Sequence, residues 1–318
     1  MKWTMNALLI DRPTFGRDVT LTEVQIPEPM PGWVLVRVRG FGMNHSELIL
    51  RTSEIREGYI KKPVIPGIEC VGEVVDSIDG CFDAGDRVIA MMGGMGRSFD
   101  GSYAEYALLP AHHVFRVDTD MPWDELAAVP ETYYTAWGSL FDSLHIMEGD
   151  RLLIRGATCA LGHAAIQIAE VIGCEVTATT HRESRLMELE EADSSILDDG
   201  NLDTGRFDKA LELVGPSTLL DTMRHMDPGG IVCSSGILGG ECTLDGFDPI
   251  KGIPNGVYLT GFFSNFPDSD AVNKMMNFID SNSLKPRIAA RFPFQRLKEA
   301  CILQELGGTN GKIVVTMD

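Results

Sequence analysis

One stretch, Asp150 to Arg185 (DRLLIRGATCALGHAAIQIAEVIGCEVTATTHRESR), narrows the folds open to this chain more than any other. Leu152, Leu153 and Ile154 form a short continuous apolar run, the pattern of a strand buried on both faces, and Gly156 ends it. From Ala160 to Ile172 the apolar positions Leu161, Ala164, Ala165, Ile168, Ala169 and Ile172 recur at helical spacing, with Gly162 in the first turn and Gly173 just past the end. A second strand follows. Strand, glycine turn, helix and strand make the opening βαβ half of a dinucleotide-binding sheet. A helix that starts at the tip of a buried parallel strand aims its free N–H groups and positive dipole end where a pyrophosphate can sit. Gly156, Ala157, Thr158, Ala160, Leu161 and Gly162 are therefore candidate cofactor contacts. The spacing is not the common G-x-G-x-x-G, because Thr158 holds the middle position, so the turn alone leaves an ordinary α/β domain open.

The remaining residues set the context. A chain of 318 residues suits two domains, and 44% hydrophobic content is enough to fill two cores. The formal net charge of −19 would repel phosphate backbones and anionic lipid, so no nucleic-acid or membrane partner is expected, and an anionic cofactor needs local cations. Cysteines at 70, 81, 159, 174, 233, 242 and 301 form no C-x-x-C pair, a pattern of reduced thiols. No apolar run approaches the roughly 18 residues of a spanning helix and no signal peptide is visible, so a cytoplasmic location is expected.

Residues 1–120 read as β-rich, with runs at Trp33–Arg39, Cys70–Val75 and Asp86–Met92; Gly40–Pro66 between them is polar and reads as a functional loop. From Trp123 strands alternate with helices: a helix over Glu183–Ala192, a strand Phe207–Val214, a helix Ser217–Met226, and strands Ile231–Ser235 and Val257–Phe263. That alternation predicts a parallel sheet covered on both faces. A helix over Asp270–Ile279 and a strand over Lys312–Met317 return to the mixed character of the N-terminal part.

The segments PGIECVGEVV (66–75), AGDRVIA (84–90), GSYAEYALLP (101–110), ETYYTAWGSLF (131–141), EGDRLLIRGATCALGHAAIQIA (148–169), FDKALELVG (207–215) and GKIVV (311–315) follow one another in a telling order. They make the chain resemble the medium-chain dehydrogenase/reductase superfamily, and within it the zinc-independent quinone oxidoreductase (zeta-crystallin-like) branch. The resemblance implies an α/β protein: a GroES-like β-rich catalytic domain from residues 1–122 and 265–318, and a Rossmann-type doubly wound parallel sheet from 123–264.

It also directs attention to particular side chains. Zinc alcohol dehydrogenases of the superfamily hold a catalytic metal with Cys, His and Cys, and the matching positions here carry Asn44, Ile68 and Glu131. An amide, an alkyl chain and a carboxylate cannot hold Zn²⁺ against water, so no metal is expected. Without a Lewis acid, the resemblance implies reduction of an activated acceptor: hydride passes to a quinone or to the β-carbon of an enone. Asn44, Tyr59 and Thr135 match candidate catalytic positions, Asn44 to polarise an acceptor carbonyl, Tyr59 to line the acceptor pocket and Thr135 beside the nicotinamide. A second pocket tyrosine of the family falls at Ile49, and His45 is a possible proton relay or a plain loop residue. Val214, Gly236, Phe263, Ser264 and Asn265 lie at or just past carboxyl ends of predicted strands, where open α/β sheets bind ligands. Asn310 and Lys312 match a closing cofactor contact, although Lys312 equally reads as a solvated charge on an edge strand.

The second strand ends TATTHRESR, with no acidic residue before Glu183 to grip the ribose hydroxyls of NADH. Thr180, Arg182 and Arg185 instead suit a 2′-phosphate, and NADPH is the expected cofactor. The expected partners are a small electrophilic acceptor, quinone or enone, and a second copy of the chain in a homodimer formed at the strand around Val257–Phe263. Three other readings stay open: an enone or enoyl reductase, a zinc-type alcohol dehydrogenase, and an NADPH-binding sensor or crystallin-like protein with little catalysis.

Overall fold

The computed structural model describes residues 3–317, and the chain divides into two units. The first takes the residues up to Glu131 and those from Asn265 onward; the second is Thr132–Ser264. The first boundary lies later than residue 122 for a physical reason. The short helix starting at Trp123 belongs to the β-rich unit: the Arg87 guanidinium sits over the Trp123 ring at 3.7 Å, and Arg291 Nε bonds Asp124 at 2.7 Å.

In the first unit, β1 (Thr4–Leu8) and β2 (Leu21–Gln25) pair as an antiparallel ribbon. Then come β3 (Trp33–Met43), α1 (His45–Thr52), β4 (Glu69–Asp76), β5 (Arg87–Met91), β6 (Tyr106–Pro110), β7 (Val114–Arg116) and α2 (Trp123–Leu126). The alternating run at Trp33 continues to Met43, farther than its polar residues suggested, because β3 is a central strand paired with β4 and β6. The segment expected as a loop after Gly40 is largely ordered. Asn44 caps α1 in a reciprocal box with Glu47, whose Oε2 accepts from the Asn44 backbone N–H at 2.8 Å.

The chain crosses to the second unit along α3 (Pro130–Trp137). Its elements are β8 (Arg151–Arg155), α4 (Ala160–Ile172), β9 (Glu175–Thr180), β10 (Ser194–Leu197), β11 (Phe207–Glu212), α5 (Pro216–Arg224), β12 (Met226–Ser234), α6 (Pro249–Gly252) and β13 (Tyr258–Gly261). The sheet runs β10-β9-β8-β11-β12-β13 with every pair parallel, the doubly wound order of a Rossmann-type unit. In place of a helix over 183–192 there is only a 3-10 segment, Glu183–Leu189. Arg185 is drawn to the Thr158 carbonyl, and the Asp193 carboxylate accepts from the Val176 N–H at 2.7 Å, which starts β10 at once.

The return to the first unit supplies α7 (Ser269–Ser281), β14 (Ile288–Pro293), α8 (Leu297–Leu306) and β15 (Lys312–Thr316). They complete a sheet ordered β14-β15-β3-β4-β5-β7, with β6 also on β3. The expectation of an edge strand at Lys312 is corrected: β15 lies between β14 and β3. Each unit has its own apolar core, Val34, Val36, Phe41, Leu50 and Phe294 in the first and Leu153, Ala210, Met223 and Val232 in the second. All seven cysteines are free thiols, and no helix among the described residues is long and apolar enough to cross a membrane.

Candidate active site

In the second unit the glycine turn stands at the carboxyl end of β8, as the apolar run before it requires. Gly156 adopts φ +81°, a backbone region that disfavours any side chain. Gly162 is needed for closeness: a Cβ there would lie 2.1 Å from the Ala157 carbonyl oxygen. The turn is held from the next strand by Gly156 N–H donating to Thr179 Oγ1 at 3.1 Å and Ala157 N–H donating to the Thr179 carbonyl at 2.8 Å. Cys159 is the N-cap of α4 and its Sγ accepts from Gly162 N–H at 3.3 Å; Ala160 and Leu161 open the helix, where backbone N–H groups lack intrahelical acceptors.

Thr180, Val214 and Gly236 fall at or just past the ends of β9, β11 and β12, along the same carboxyl edge. A Cβ on Gly236 would meet the Leu213 carbonyl oxygen at 2.4 Å, so that strand end also needs a glycine. Phe263 is exposed and Ser264 buried just past β13. Thr135 is buried in α3.

The three residues expected to meet a 2′-phosphate differ in their surroundings. Arg185 is buried, its Nη2 donating to the Thr158 carbonyl at 2.9 Å and its Nε to Glu188 at 2.7 Å. It braces the turn from beneath. Thr180 is also buried, its hydroxyl accepting from the Arg182 N–H at 3.3 Å. Arg182 alone of the three is exposed. The nearest acid past β10, Asp198, is tied to Arg155 and to Thr179 Oγ1.

Beneath this edge lies a buried charge network that sequence reasoning missed. Arg155, fully buried, donates to both carboxylate oxygens of Asp198 at 2.7 and 2.9 Å, to Asp221 at 2.8 Å and to the Thr222 hydroxyl at 3.0 Å. Beside it Glu212 accepts from the N–H groups of Val214 and Gly215 and from the hydroxyls of Thr218 and Thr222. Burial raises the Glu212 carboxyl above its ordinary range, and these hydrogen bonds oppose the rise.

In the first unit the positions matched to metal ligands come together around two buried carboxylates, Glu47 and Glu69. Asn44 Nδ2 donates to Glu69 Oε1 at 2.8 Å, the Ile68 N–H to Glu47 Oε1 at 3.2 Å, and the Glu131 N–H to Glu69 Oε2 at 2.7 Å. Lys312, only 3% exposed, places Nζ 2.5 Å from Asn44 Oδ1 and 2.7 Å from Glu69 Oε1. The role expected for Asn44 is thereby altered. Its amide faces Glu69 and Lys312 within the hub, with Gln304 Nε2 also donating to its backbone carbonyl at 2.7 Å.

Burial, reinforced by the Glu69 charge and opposed by Lys312 and by backbone hydrogen bonds, raises the Glu47 carboxyl from 4.5 to about 7. A carboxyl whose pKa rises on folding contributes stability that is present below about pH 4.5 and lost as the pH climbs through about 7. That loss amounts to about 3 kcal/mol. Glu47→Gln should therefore flatten the fall in thermal stability between pH 5 and 8 relative to the parent protein, measured by calorimetry in parallel buffers. Parallel pH curves for the two proteins would contradict it.

Tyr59 is 66% exposed and its hydroxyl donates to Glu54 Oε1 at 2.7 Å, a bond that raises the phenol's pKa. Glu54 resists burial's upward push because Arg97 holds both its oxygens, at 2.9 and 2.6 Å. Arg97 also reaches the Ser46 carbonyl at 3.3 Å, beside the exposed His45. Ile49 lies within α1 and Asn310 just before β15, both partly exposed; Asn265 opens the returning segment of the first unit. Among the described residues no group of three or more His, Cys, Asp or Glu side chains is arranged to hold a metal ion.

Comparison with known proteins agrees with this architecture. Residues 30–119 match the family described as alcohol dehydrogenase GroES-like domain, and residues 190–315 the one described as zinc-binding dehydrogenase. A zinc-type alcohol dehydrogenase-like protein of Schizosaccharomyces pombe is 26% identical, covering 93% of this chain and 94% of that protein. The quinone oxidoreductase of Pongo abelii is 31% identical over a stretch covering 51% of this chain and 48% of the relative, about half of each. Among solved structures, the quinone oxidoreductase of Coxiella burnetii superposes with a TM-score of 0.83 at 18% identity, covering 99% of this chain and 100% of that one. At that identity the likeness speaks for the fold alone.

Proposed function

Because the chain belongs to the medium-chain dehydrogenase/reductase superfamily, oxidoreductases that bind a nicotinamide cofactor and include quinone oxidoreductase-like members, we propose that it is an NADPH-dependent reductase of quinones or other activated carbonyl acceptors that works without a metal. The observation that carries this reading is the donor set at the matched ligand positions. Ile68 has no donor side chain, and the Asn44 amide is already bound to Lys312 and Glu69. Nothing there can ionise an alcohol as a Lewis acid does, whereas an electron-poor quinone or enone needs no such help.

The turn fits the cofactor. Gly156 and Gly162 let β8 and α4 approach closely, and the opening N–H groups of α4 suit a pyrophosphate. A reduced nicotinamide, when bound, supplies the hydride. The chain's part is to hold the donor and acceptor faces in register and to hydrogen-bond the developing oxyanion. For that bond we put forward Tyr59, whose exposed O–H can exchange Glu54 for an acceptor oxygen, with solvent supplying the proton. Thr135 and Asn44 keep positioning roles, Asn44 through the hub.

Preference for NADPH rests on Arg182, exposed just past β9 and followed directly by the exposed Glu183, with Asp198 tied to Arg155 and Glu188 to Arg185. One charge-assisted hydrogen bond is worth roughly 1.5–3 kcal/mol, so Arg182→Ala should raise the KM for NADPH by about one to two decades and leave that for NADH nearly unchanged. Initial rates with both coenzymes against a panel of quinones and enones test the reading. Turnover of no acceptor, or an equal KM change for both coenzymes, would sink it.

We further propose a homodimer. Among the described residues β13 pairs only with β12, and Tyr258 on it is 62% exposed, a bare edge suited to a twofold mate. Light scattering at twice the 34.8 kDa chain mass is the expected result, and the mass of one chain would refute it.

A further inference from the structure

Relatives that use zinc carry a cation at the ligand positions, and in this chain a cation is built in. We infer that the Lys312 ammonium is a resident cation, holding Asn44, Glu69 and Glu47 together where a metal would otherwise be needed. Nζ touches Asn44 Oδ1 and Glu69 Oε1 at 2.5 and 2.7 Å, and both Lys312 and Glu69 are buried, at 3% and 0% exposure. Glu69 in turn receives the backbone of Glu131, and Glu47 that of Ile68, so the matched ligand positions are all fastened to the carboxylate pair.

Room for the ammonium is made by a glycine. A Cβ on Gly42 would fall 2.3 Å from Lys312 Cε and 2.6 Å from Glu69 Oε1, so any other residue on β3 at this point would drive lysine and carboxylate apart. The other arginines of this unit near the hub are committed elsewhere: Arg97, which feels the Glu47 charge, to both oxygens of Glu54, and Arg51 to the Thr14 carbonyl, Gln304 and Glu305. Lys312 is thus the counter-charge that the buried Glu69 carboxylate requires. It also repels a divalent ion from the same oxygens.

The inference goes beyond the acceptor reading and stands whichever acceptor is reduced. Its test uses the full chain as wild type, Lys312→Met, Glu69→Gln and the double variant, each incubated with Co²⁺, freed of excess, and followed by metal content, visible absorption and thermal unfolding. Wild type should retain no stoichiometric cobalt. Lys312→Met should unfold about 10 °C lower, as expected for one buried partner removed, and cobalt should restore part of that loss. Adding Glu69→Gln should restore stability without cobalt, so the two substitutions are strongly non-additive. If Lys312→Met is too unstable to purify, recovery of folded protein in the double variant carries the same meaning. Stoichiometric cobalt in wild type, additive losses, a double variant that fails to fold, or a Lys312→Met protein indifferent to cobalt would each overturn the inference.

Discussion

Replacing Arg155 with leucine is expected to remove about 3–5 kcal/mol of stability, because it leaves buried carboxylates without their cation. Asp198 loses both of its guanidinium bonds, at 2.7 and 2.9 Å, and Asp221 loses one at 2.8 Å. The bland alternative, that leucine simply fills an apolar site, predicts a small loss or a gain. Chemical denaturation separates the two. Adding Asp198→Asn to Arg155→Leu should recover a substantial part of the loss, since the neutral amide no longer needs the guanidinium. No recovery, or a single-variant loss below about 1 kcal/mol, would contradict the network's role.

The second large effect concerns the turn itself. Gly162→Ala puts a methyl group 2.1 Å from the Ala157 carbonyl oxygen and 2.6 Å from its carbonyl carbon, and both are backbone atoms with no rotamer to change. Either α4 moves off the end of β8 or the turn opens. Overpacking of this kind costs about 1–3 kcal/mol, and a displacement of about 1 Å at a positioning element can cost on the order of 100-fold in function. NADPH affinity, followed by quenching of protein fluorescence, is expected to fall at least about tenfold in a protein that remains folded. Unchanged affinity would show that the turn does not position the cofactor.

Much of the second unit was readable in advance because its signals are local. The helix expected over Ala160–Ile172 has those bounds, since the apolar period, the glycine in its first turn and the glycine beyond its end are all consecutive in the chain. The departures have physical causes of their own. Glu183 to Ala192 carries helix-forming residues, yet Arg185 pairs downward with the Thr158 carbonyl, a partner 27 residues away that no local pattern discloses. The strand Ser194–Leu197 gave no signal because a short, largely exposed edge strand shows neither a continuous apolar run nor a clean alternation.

The hub in the first unit was invisible for a different reason. Asn44, Glu47, Glu69 and Lys312 come from β3's end, α1, β4 and β15, and in a sequence each charge reads as a solvated one. Lys312 looked like a residue of an edge strand, but β14 covers that edge. Two hints were available: Glu69 interrupts the apolar run PGIECVGEVV, and Gly42 lies in a strand, where a glycine often marks close approach of another group. Arg155 offered the same kind of hint, a lone charge at the end of the apolar run Leu-Leu-Ile.

The proposed hydride transfer to a polarised acceptor with no metal taking part stands or falls with the activity of metal-free protein. NADPH-dependent quinone reduction should be assayed on protein exhaustively treated with a strong chelator, with metal content determined on the same sample. An undiminished kcat is expected in protein holding far less than one equivalent of any divalent metal. Activity that disappears with the chelator and returns in proportion to added zinc would contradict it.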